Sequence, residues 1–343
     1  MKSLLNQYNP LKSWLIPAVA ATALPIAGSA LAAEEVVVYS SRKEQLIKPL
    51  FDAFEKETGI EVKYQTGKEG PLIERIKQEG KQTPADMLIT VDAGNLWYAG
   101  TQGIFAKIDD ANLNKAVPPQ YRDPEGQWFG LSVRARTIVY SNERVKPEEL
   151  TTYAALAEPQ WRDRLCLRTS KKIYNKSLVG SFIHHYGEKE TEKVVRGWVK
   201  NLAVKPFAKD SHLIKAIDSG ICDVGIVNTY YYGRAETANP EIPVKLFWPD
   251  QDGNGVHVNI SGAGITKHAP NKTNAVKLLT WLAGPESQKI LGGLNKEYPI
   301  NGSTAMDPQV AAWGSFKTDT MNLAETGKNQ AAAVKLMQRA RYK

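Results

Sequence analysis

Short apolar segments alternate with amphipathic helical patterns along most of the chain. Near its N-terminal end, residues 36–39 (VVVY) and 86–91 (DMLITV) predict buried strands, and residues 46–57 (LIKPLFDAFEKE) have the apolar spacing of a helix. A further strand at residues 60–64 and a helix at residues 72–78 fill the interval. This order is typical of right-handed βαβ units, so we predict an α/β fold with a mostly parallel sheet.

The second half of the chain continues this alternation and predicts a second lobe. Strands are predicted at residues 131–140, 165–168, 224–228 and 256–260, and helices at residues 175–186, 190–201, 273–282, 286–291 and 324–341. A chain of 343 residues is longer than one core usually supports. We therefore predict two α/β lobes joined by crossing strands, the first made of residues 33–135 and 261–311 and the second of residues 136–260 and 312–343. In such a fold the ligand binds in the cleft between the lobes.

The first 32 residues have the pattern of a secretory signal peptide. Lys2 and Lys12 precede or open an apolar stretch, which Pro17 and Pro25 interrupt, and the stretch ends in the A-x-A pattern of residues 30–32. No cysteine stands directly after the stretch to carry a lipid anchor. We therefore expect an exported, soluble protein.

The charge balance restricts the class of partner. The formal net charge is +8, from 44 Lys and Arg against 36 Asp and Glu, and it falls to +6 once the two lysines of residues 1–32 are removed. No run of Lys or Arg exceeds two residues, so we predict no nucleic-acid partner. The remaining basic charge fits either a solubilising surface or attraction to an anion.

Tyrosines follow two of the predicted strands. Residues 230–232 are three consecutive tyrosines directly after the strand at residues 224–228, and Tyr174 lies beyond the strand at residues 165–168, where a helix begins. Alternation along an extended chain would bury at most half of the triplet, and every buried hydroxyl needs a partner. Phenolate oxygen suits a hard, highly charged cation, and tyrosine binds iron in some haem proteins. The clustered phenols therefore predict a site for a trivalent metal ion.

The two cysteines repeat the spacing of the tyrosines. Cys166 precedes Tyr174 by eight residues, and Cys222 precedes Tyr230 by eight. Two cysteines of an exported protein usually pair, and a Cys166–Cys222 bridge would hold the two tyrosine-bearing turns side by side. The alternative is two unrelated buried thiols.

Six segments resemble the ferric-iron-binding periplasmic proteins that serve ABC transporters. They are residues 36–49, 84–97, 130–141, 165–183, 221–233 and 255–272, of which the Asn-Thr-Tyr-Tyr element at residues 228–231 is the most specific. The resemblance implies a type II periplasmic binding fold and a monomer that delivers Fe³⁺, free or chelated, to an inner-membrane ABC permease. It also implies that Tyr230 and Tyr231 are paired iron ligands, that Tyr174 is the third, and that Arg134 lies beside them.

The sequence departs from its relatives in the loop after the first strand. Several relatives have a His, a Tyr or both there, whereas this chain has Lys43, Glu44 and Gln45. Glu44 is therefore the candidate for a further iron ligand, with carbonate, another small anion or water as the alternative. Asp92 is a second candidate carboxylate, although its position also suits a helix cap.

Basic side chains are expected to assist the site. Lys43, Arg134 and Arg234 are candidates to bind an anion or to favour the ionised form of the phenols.

Two other functional classes compete with iron binding. A binding protein for an oxyanion or a small organic anion would use the helix N-termini that follow Ser40-Ser41, Thr169-Ser170 and Ser261-Gly262. Capping of the helices explains these residues equally well. An enzyme is the other alternative, but the chain has no G-x-S-x-G, H-E-x-x-H or Walker A pattern, so we predict that it is not one.

Overall fold

The computed structural model describes residues 34–343, which form one compact unit. The predicted signal peptide at residues 1–32 lies outside the described residues. The strands are β1 (Glu35–Ser40), β2 (Glu61–Thr66), β3 (Met87–Thr90), β4 (Phe129–Ser141), β5 (Leu165–Cys166), β6 (Val224–Asn228), β7 (Val244–Phe247), β8 (Val258–Ile265) and β9 (Tyr298–Pro299).

Helices connect and cover these strands. They are α1 (Glu44–Thr58), α2 (Glu69–Glu79), α3 (Ala93–Thr101), α4 (Ala111–Ala116), α5 (Ile173–Asn201), α6 (Asp210–Asp218), α7 (Thr229–Ala238), α8 (Lys272–Leu282), α9 (Pro285–Asn295), α10 (Pro308–Ala312), α11 (Ala324–Lys328) and α12 (Gln330–Arg339). Within residues 34–343, no helix combines the length and the apolarity that crossing a membrane requires.

Two glycines end helical segments where the sequence pattern stops. Gly59 has a φ of 73°, and its N–H donates to the carbonyl of Glu55 at the end of α1. Gly187 has a φ of 74° and divides α5 into two helical segments. Because glycine adopts this left-handed conformation without steric cost, both stops follow from local chemistry. The division of α5 matches the two helices predicted at residues 175–186 and 190–201.

The strands are hydrogen-bonded in the order β2-β1-β3-β8-β4-β6-β5, with β7 and β9 also paired to β4. The pairs β1–β2, β1–β3 and β5–β6 are parallel. The five pairs that involve β4 or β8 are antiparallel. The prediction of a mostly parallel sheet is therefore wrong, because the two long strands at the centre of the order run against each other and against their neighbours.

Strand β4 passes from one hydrophobic core into another. Its residues Phe129 to Ala135 pack in a core with β1, β3, α1 and α8. Ile138 and Tyr140 pack in a second core with α5 and α12, and Val139 packs in a third with α6 and β6. We propose the predicted two-lobed organisation on this basis, with β4 as a crossing strand. Val256, Val258 and Ile260 pack in the first core, so we propose a return to the first lobe slightly before residue 261.

Candidate metal-binding site

A cavity of about 290 Å³ lies where α1, α2, β4, α5 and α7 present side chains to one another. The connection between β1 and α1 and the start of α2 supply part of its wall, including Lys43 and Glu69. Arg134 of β4 lines the middle of the wall. The first turns of α5 and α7 supply the remainder, and they carry the predicted tyrosines.

Tyr174, Tyr230 and Tyr231 all line this cavity. The Tyr230 hydroxyl donates to the Tyr174 hydroxyl at 3.1 Å, and the centroids of the Tyr230 and Tyr231 rings are 4.5 Å apart. The Asn228 amide donates to the Tyr230 hydroxyl at 3.1 Å. The structure thus brings together at one cavity the three tyrosines that the sequence singled out.

The tyrosine triplet lies on a helix and not on an extended segment. Helix α7 begins at Thr229, directly after β6. Successive helical residues point about 100° apart, so the third tyrosine leaves the cavity. The Tyr232 hydroxyl donates to Glu236 at 2.9 Å, and its ring packs against Trp313. Helical geometry therefore separates Tyr232 from the two candidate ligands that precede it.

Cationic side chains surround the phenol rings. The guanidinium carbon of Arg134 is 5.6 Å from the centroid of the Tyr174 ring. That of Arg234 is 5.3 Å from the Tyr230 ring and 5.7 Å from the Tyr231 ring. Nearby positive charge favours the ionised form of a phenol, so this arrangement suits ligands that must lose protons to bind a metal.

Burial opposes ionisation of the same phenols. It raises the pKa of Tyr230 well above the ordinary value of 10.0, and the neighbouring Tyr174 and Tyr231 phenols raise it further. Burial also raises the pKa of Tyr174, while Arg134 acts in the opposite direction. Without a bound cation the two phenols are therefore protonated at neutral pH, and a cation that binds them displaces their protons.

Arg168 lies behind the tyrosines and was not identified from the sequence. Its guanidinium carbon is 5.4 Å from the Tyr174 ring centroid and 5.8 Å from that of Tyr231. The fully buried Asp210 carboxylate accepts hydrogen bonds from both Arg168 and Arg136. This network fixes a positive charge between two of the candidate ligands. No spacing rule links residues 168 and 210, because only the fold brings the start of α6 beside the end of β5.

The structure corrects the prediction that Glu44 is a metal ligand. Lys43 and Gln45 line the cavity, but Glu44 does not. The Glu44 carboxylate instead accepts a hydrogen bond at 3.0 Å from the hydroxyl of Tyr64, which lies on β2. Glu44 is the first residue of α1, and its side chain turns toward β2 and away from the tyrosines.

Asp92 acts as a helix cap. Its Oδ1 accepts from the backbone N–H of Gly94 at 2.8 Å, and its Oδ2 accepts from Ser177 and Asn259 at 2.9 and 2.8 Å. The residue is fully buried and does not line the cavity. These contacts satisfy the carboxylate and favour the capping role over metal binding.

A buried ion pair strengthens the wall of the cavity. Arg42 and Glu297 are 3.2 Å apart, and Ser132 and Ser261 join their hydrogen-bond network. Burial alone would raise the pKa of the Glu297 carboxyl, but Arg42 and Arg134 outweigh it and hold the pKa below its ordinary value. Glu297 is therefore an ionised carboxylate that already forms an ion pair with Arg42.

A disulfide joins Cys166 to Cys222, with their Cα atoms 5.9 Å apart. Cys166 ends β5, and Cys222 lies two residues before β6. The bridge connects the two segments that lead to Tyr174 and Tyr230.

The donor atoms of the cavity determine which metal it suits. In the described part of the chain, no group of three His, Cys, Asp or Glu side chains is placed to hold a metal ion. The three phenols are therefore the cluster of candidate metal-binding groups in the cavity. Oxygen donors of this kind suit a hard cation and are poor ligands for soft metals.

The chain is similar to several known proteins. The sequence pattern of the family described as Bacterial extracellular solute-binding protein matches residues 49–318. The chain is 42% identical to Iron uptake protein A1 of Synechocystis sp. over 325 residues, which cover 93% of this chain and 90% of that protein. A solved structure of the Trichodesmium protein IdiA (FutA), in complex with iron and citrate ligands, has a TM-score of 0.87 and 43% identity, and covers 90% of this chain and 100% of that one.

A third similarity is to ferric iron-binding protein A of Mannheimia haemolytica in an open conformation. Its TM-score is 0.84 at 41% identity, and the match covers 90% of this chain and 99% of that one. Together these similarities confirm the predicted type II periplasmic binding fold and the resemblance to ferric-binding proteins. The chain belongs to the family of bacterial extracellular solute-binding proteins.

Proposed function

We propose that this protein binds Fe³⁺ in its cavity and delivers the ion to an ABC permease of the inner membrane. The observation that carries the proposal is the convergence of the Tyr174, Tyr230 and Tyr231 phenols on one cavity, with arginine side chains beside their rings. Three phenolates balance the charge of one ferric ion and are hard donors. The Trichodesmium structure contains iron, and the Synechocystis relative is named for iron uptake.

Binding exchanges protons for the metal. Each phenol loses its proton to become a ligand, and the cations of Arg134 and Arg234 stabilise the resulting negative charge. The cavity is partly shielded from water, which strengthens the contacts between phenolate and metal. Iron affinity is therefore expected to fall as the pH falls, because protons compete with the ferric ion for the same oxygens.

A small anion or water completes the coordination shell in this proposal. Carbonate, another small anion or part of a ferric chelate would be held by Lys43, Arg134 and Arg234, which line the same cavity. The Trichodesmium relative is described with citrate as well as iron. The cavity thus has cationic groups for an anion next to the phenols for the metal.

The setting of this activity follows from the family and the N-terminal pattern. We propose that the protein acts in the periplasm as a monomer, with no nucleic-acid partner. The names of its relatives describe uptake and binding and not catalysis, which supports a binding protein and not an enzyme.

A binding protein for an oxyanion or small organic anion is the alternative. The basic side chains of the cavity favour it, since Lys43, Lys172 and Arg234 all face the same space. Colour separates the two functions, because charge transfer from phenolate to Fe³⁺ gives a visible absorption band that an oxyanion does not.

Substitution of single tyrosines tests the proposal. We expect Tyr230→Phe and Tyr231→Phe to lose most of the visible band and to weaken Fe³⁺ binding by more than ~100-fold. This loss exceeds that typical of removing a group that hydrogen-bonds to a metal ligand without binding the metal itself. Absorbance titration with ferric citrate measures both effects. Tyr232→Phe is the matched control, since its hydroxyl contacts Glu236 and not the cavity. Full colour and unchanged affinity in both ligand variants would refute the assignment.

A further inference from the structure

We propose that Glu69, at the start of α2, is a carboxylate ligand of the ferric ion in addition to the three phenolates. The inference rests on the proposed function and adds a residue to it. Three phenolates do not fill the coordination shell of a ferric ion, and residues 41–46 bring no carboxylate to the cavity. Lys43 is a cation, and the Glu44 carboxylate turns to Tyr64.

Two carboxylates line the cavity, those of Glu69 and Glu297. Glu297 is buried and accepts hydrogen bonds from Arg42, Ser132 and Asn295. The Glu69 side chain has no hydrogen bond or ion pair with any residue in the described range 34–343, and it is only partly buried. Glu69 is thus the cavity carboxylate whose oxygens are available to a ligand.

The position of Glu69 on its helix suits a negative charge. It is the first residue of α2, and the preceding Lys68 offers no side-chain cap to the helix. The partial positive charge at a helix N-terminus stabilises a carboxylate in the first turn. The helix end is therefore compatible with a negatively charged side chain at this position.

The charge of the cavity also accommodates a fourth anionic ligand. One ferric ion with three phenolates is neutral, so a carboxylate ligand gives the centre one negative charge. The cavity wall carries Lys43, Arg134, Lys172 and Arg234 in addition to the Arg42 that Glu297 pairs. These four cations offset the extra charge. They therefore make a negatively charged Glu69 favourable in this cavity.

Glu69→Gln tests the inference because it removes the charge and keeps the size of the side chain. We expect at least ~10-fold weaker Fe³⁺ affinity in competition with citrate, a cost of the order seen when metal sites lose a supporting group. We also expect the phenolate-to-iron band to move to longer wavelength, because the iron loses an electron-donating ligand. Glu69→Asp should recover part of both effects.

Glu44→Gln is the matched control, as Glu44 carries the same group outside the cavity. It should bind iron with the affinity and the spectrum of the unsubstituted protein. An unchanged band and affinity in Glu69→Gln would overturn the assignment of Glu69, and so would equal losses in the two variants. If the unsubstituted protein itself developed no colour with Fe³⁺, the proposed function would fail instead, so the two failures are distinguishable.

Discussion

His257 is a fully buried imidazole, and neither of its ring nitrogens has a hydrogen-bond partner among residues 34–343. Burial lowers its pKa to about 3 from an ordinary value of 6.5. Asp319 acts in the opposite direction, whereas the cations of Arg136 and Arg134 lower the pKa further. The folded protein therefore holds His257 neutral throughout the physiological range.

This residue makes folding stability depend on pH. Because the pKa is lower in the folded state, the contribution of His257 is fully present above pH 6.5 and is lost as the pH falls toward 3. Between pH 8 and pH 5 the expected loss is about 2 kcal/mol in the free energy of unfolding. Urea unfolding of the iron-free protein at both values measures it, and His257→Gln should remove this part of the pH dependence.

Asp250 titrates in the opposite sense and must be separated from His257. Burial raises its pKa to about 6, so its contribution to stability is lost as the pH rises through that value. Asp250 contributes equally to the stability of the unsubstituted protein and of His257→Gln. Its contribution therefore cancels when the two proteins are compared at the same pH. Equal pH slopes in the two proteins would contradict the assignment of the effect to His257.

At the scale of elements, the disulfide supports a very short strand. Strand β5 has two residues and pairs with β6 through Leu165 and Cys166 only. The Cys166–Cys222 bridge closes a loop with a sequence separation of 56 residues. The bridge therefore holds in place a segment that contributes few ladder hydrogen bonds of its own.

Removal of the bridge is expected to destabilise the fold. Loop-closure entropy for this separation predicts a loss of about 4 kcal/mol in the double variant Cys166→Ala/Cys222→Ala. Urea unfolding of the oxidised protein and of the variant gives the difference, and the reduced unsubstituted protein serves as a control for the two lost side chains. A loss below about 1 kcal/mol would contradict a supporting role for the bridge.

Local elements could be predicted from the sequence because their causes are local. The helices before Gly59 and Gly187 end where glycine permits a left-handed turn, and apolar runs such as residues 36–39 became buried strands. The direction of pairing could not be predicted. Strand β4 pairs with β8 and β6, which are roughly a hundred residues away in the chain. An apolar pattern indicates that a strand is buried, but it does not indicate whether the strand pairs in a parallel or an antiparallel direction.

At the scale of the whole molecule, the tyrosine side of the site could be predicted and the opposite wall could not. Tyr230 and Tyr231 closely follow β6, and Tyr174 lies eight residues beyond the end of β5, so the sequence indicates their position relative to the sheet. Glu44 and Glu69 both begin helices, and nothing in their spacing says which one faces the cavity. Which of the two lines the cavity depends on how α1 and α2 pack, because the Glu44 carboxylate accepts a hydrogen bond from Tyr64 on β2.

The Arg42–Glu297 pair connects distant parts of the molecule at the cavity. It joins the β1–α1 connection to the segment between α9 and β9, and Ser132 of β4 and Ser261 of β8 complete the network. The two strands that carry these serines are the central pair of the sheet. This part of the cavity wall and the strands β4 and β8 are therefore parts of one hydrogen-bonded unit.

The most direct test of iron binding by tyrosine is a crystal structure of the protein loaded with Fe³⁺, with diffraction recorded on both sides of the iron absorption edge. We predict one anomalous peak in the cavity, within bonding distance of the Tyr174, Tyr230 and Tyr231 oxygens. An iron-loaded crystal with no such peak, or with iron held by other residues while the Tyr230 and Tyr174 hydroxyls remain hydrogen-bonded to each other, would contradict the proposed function.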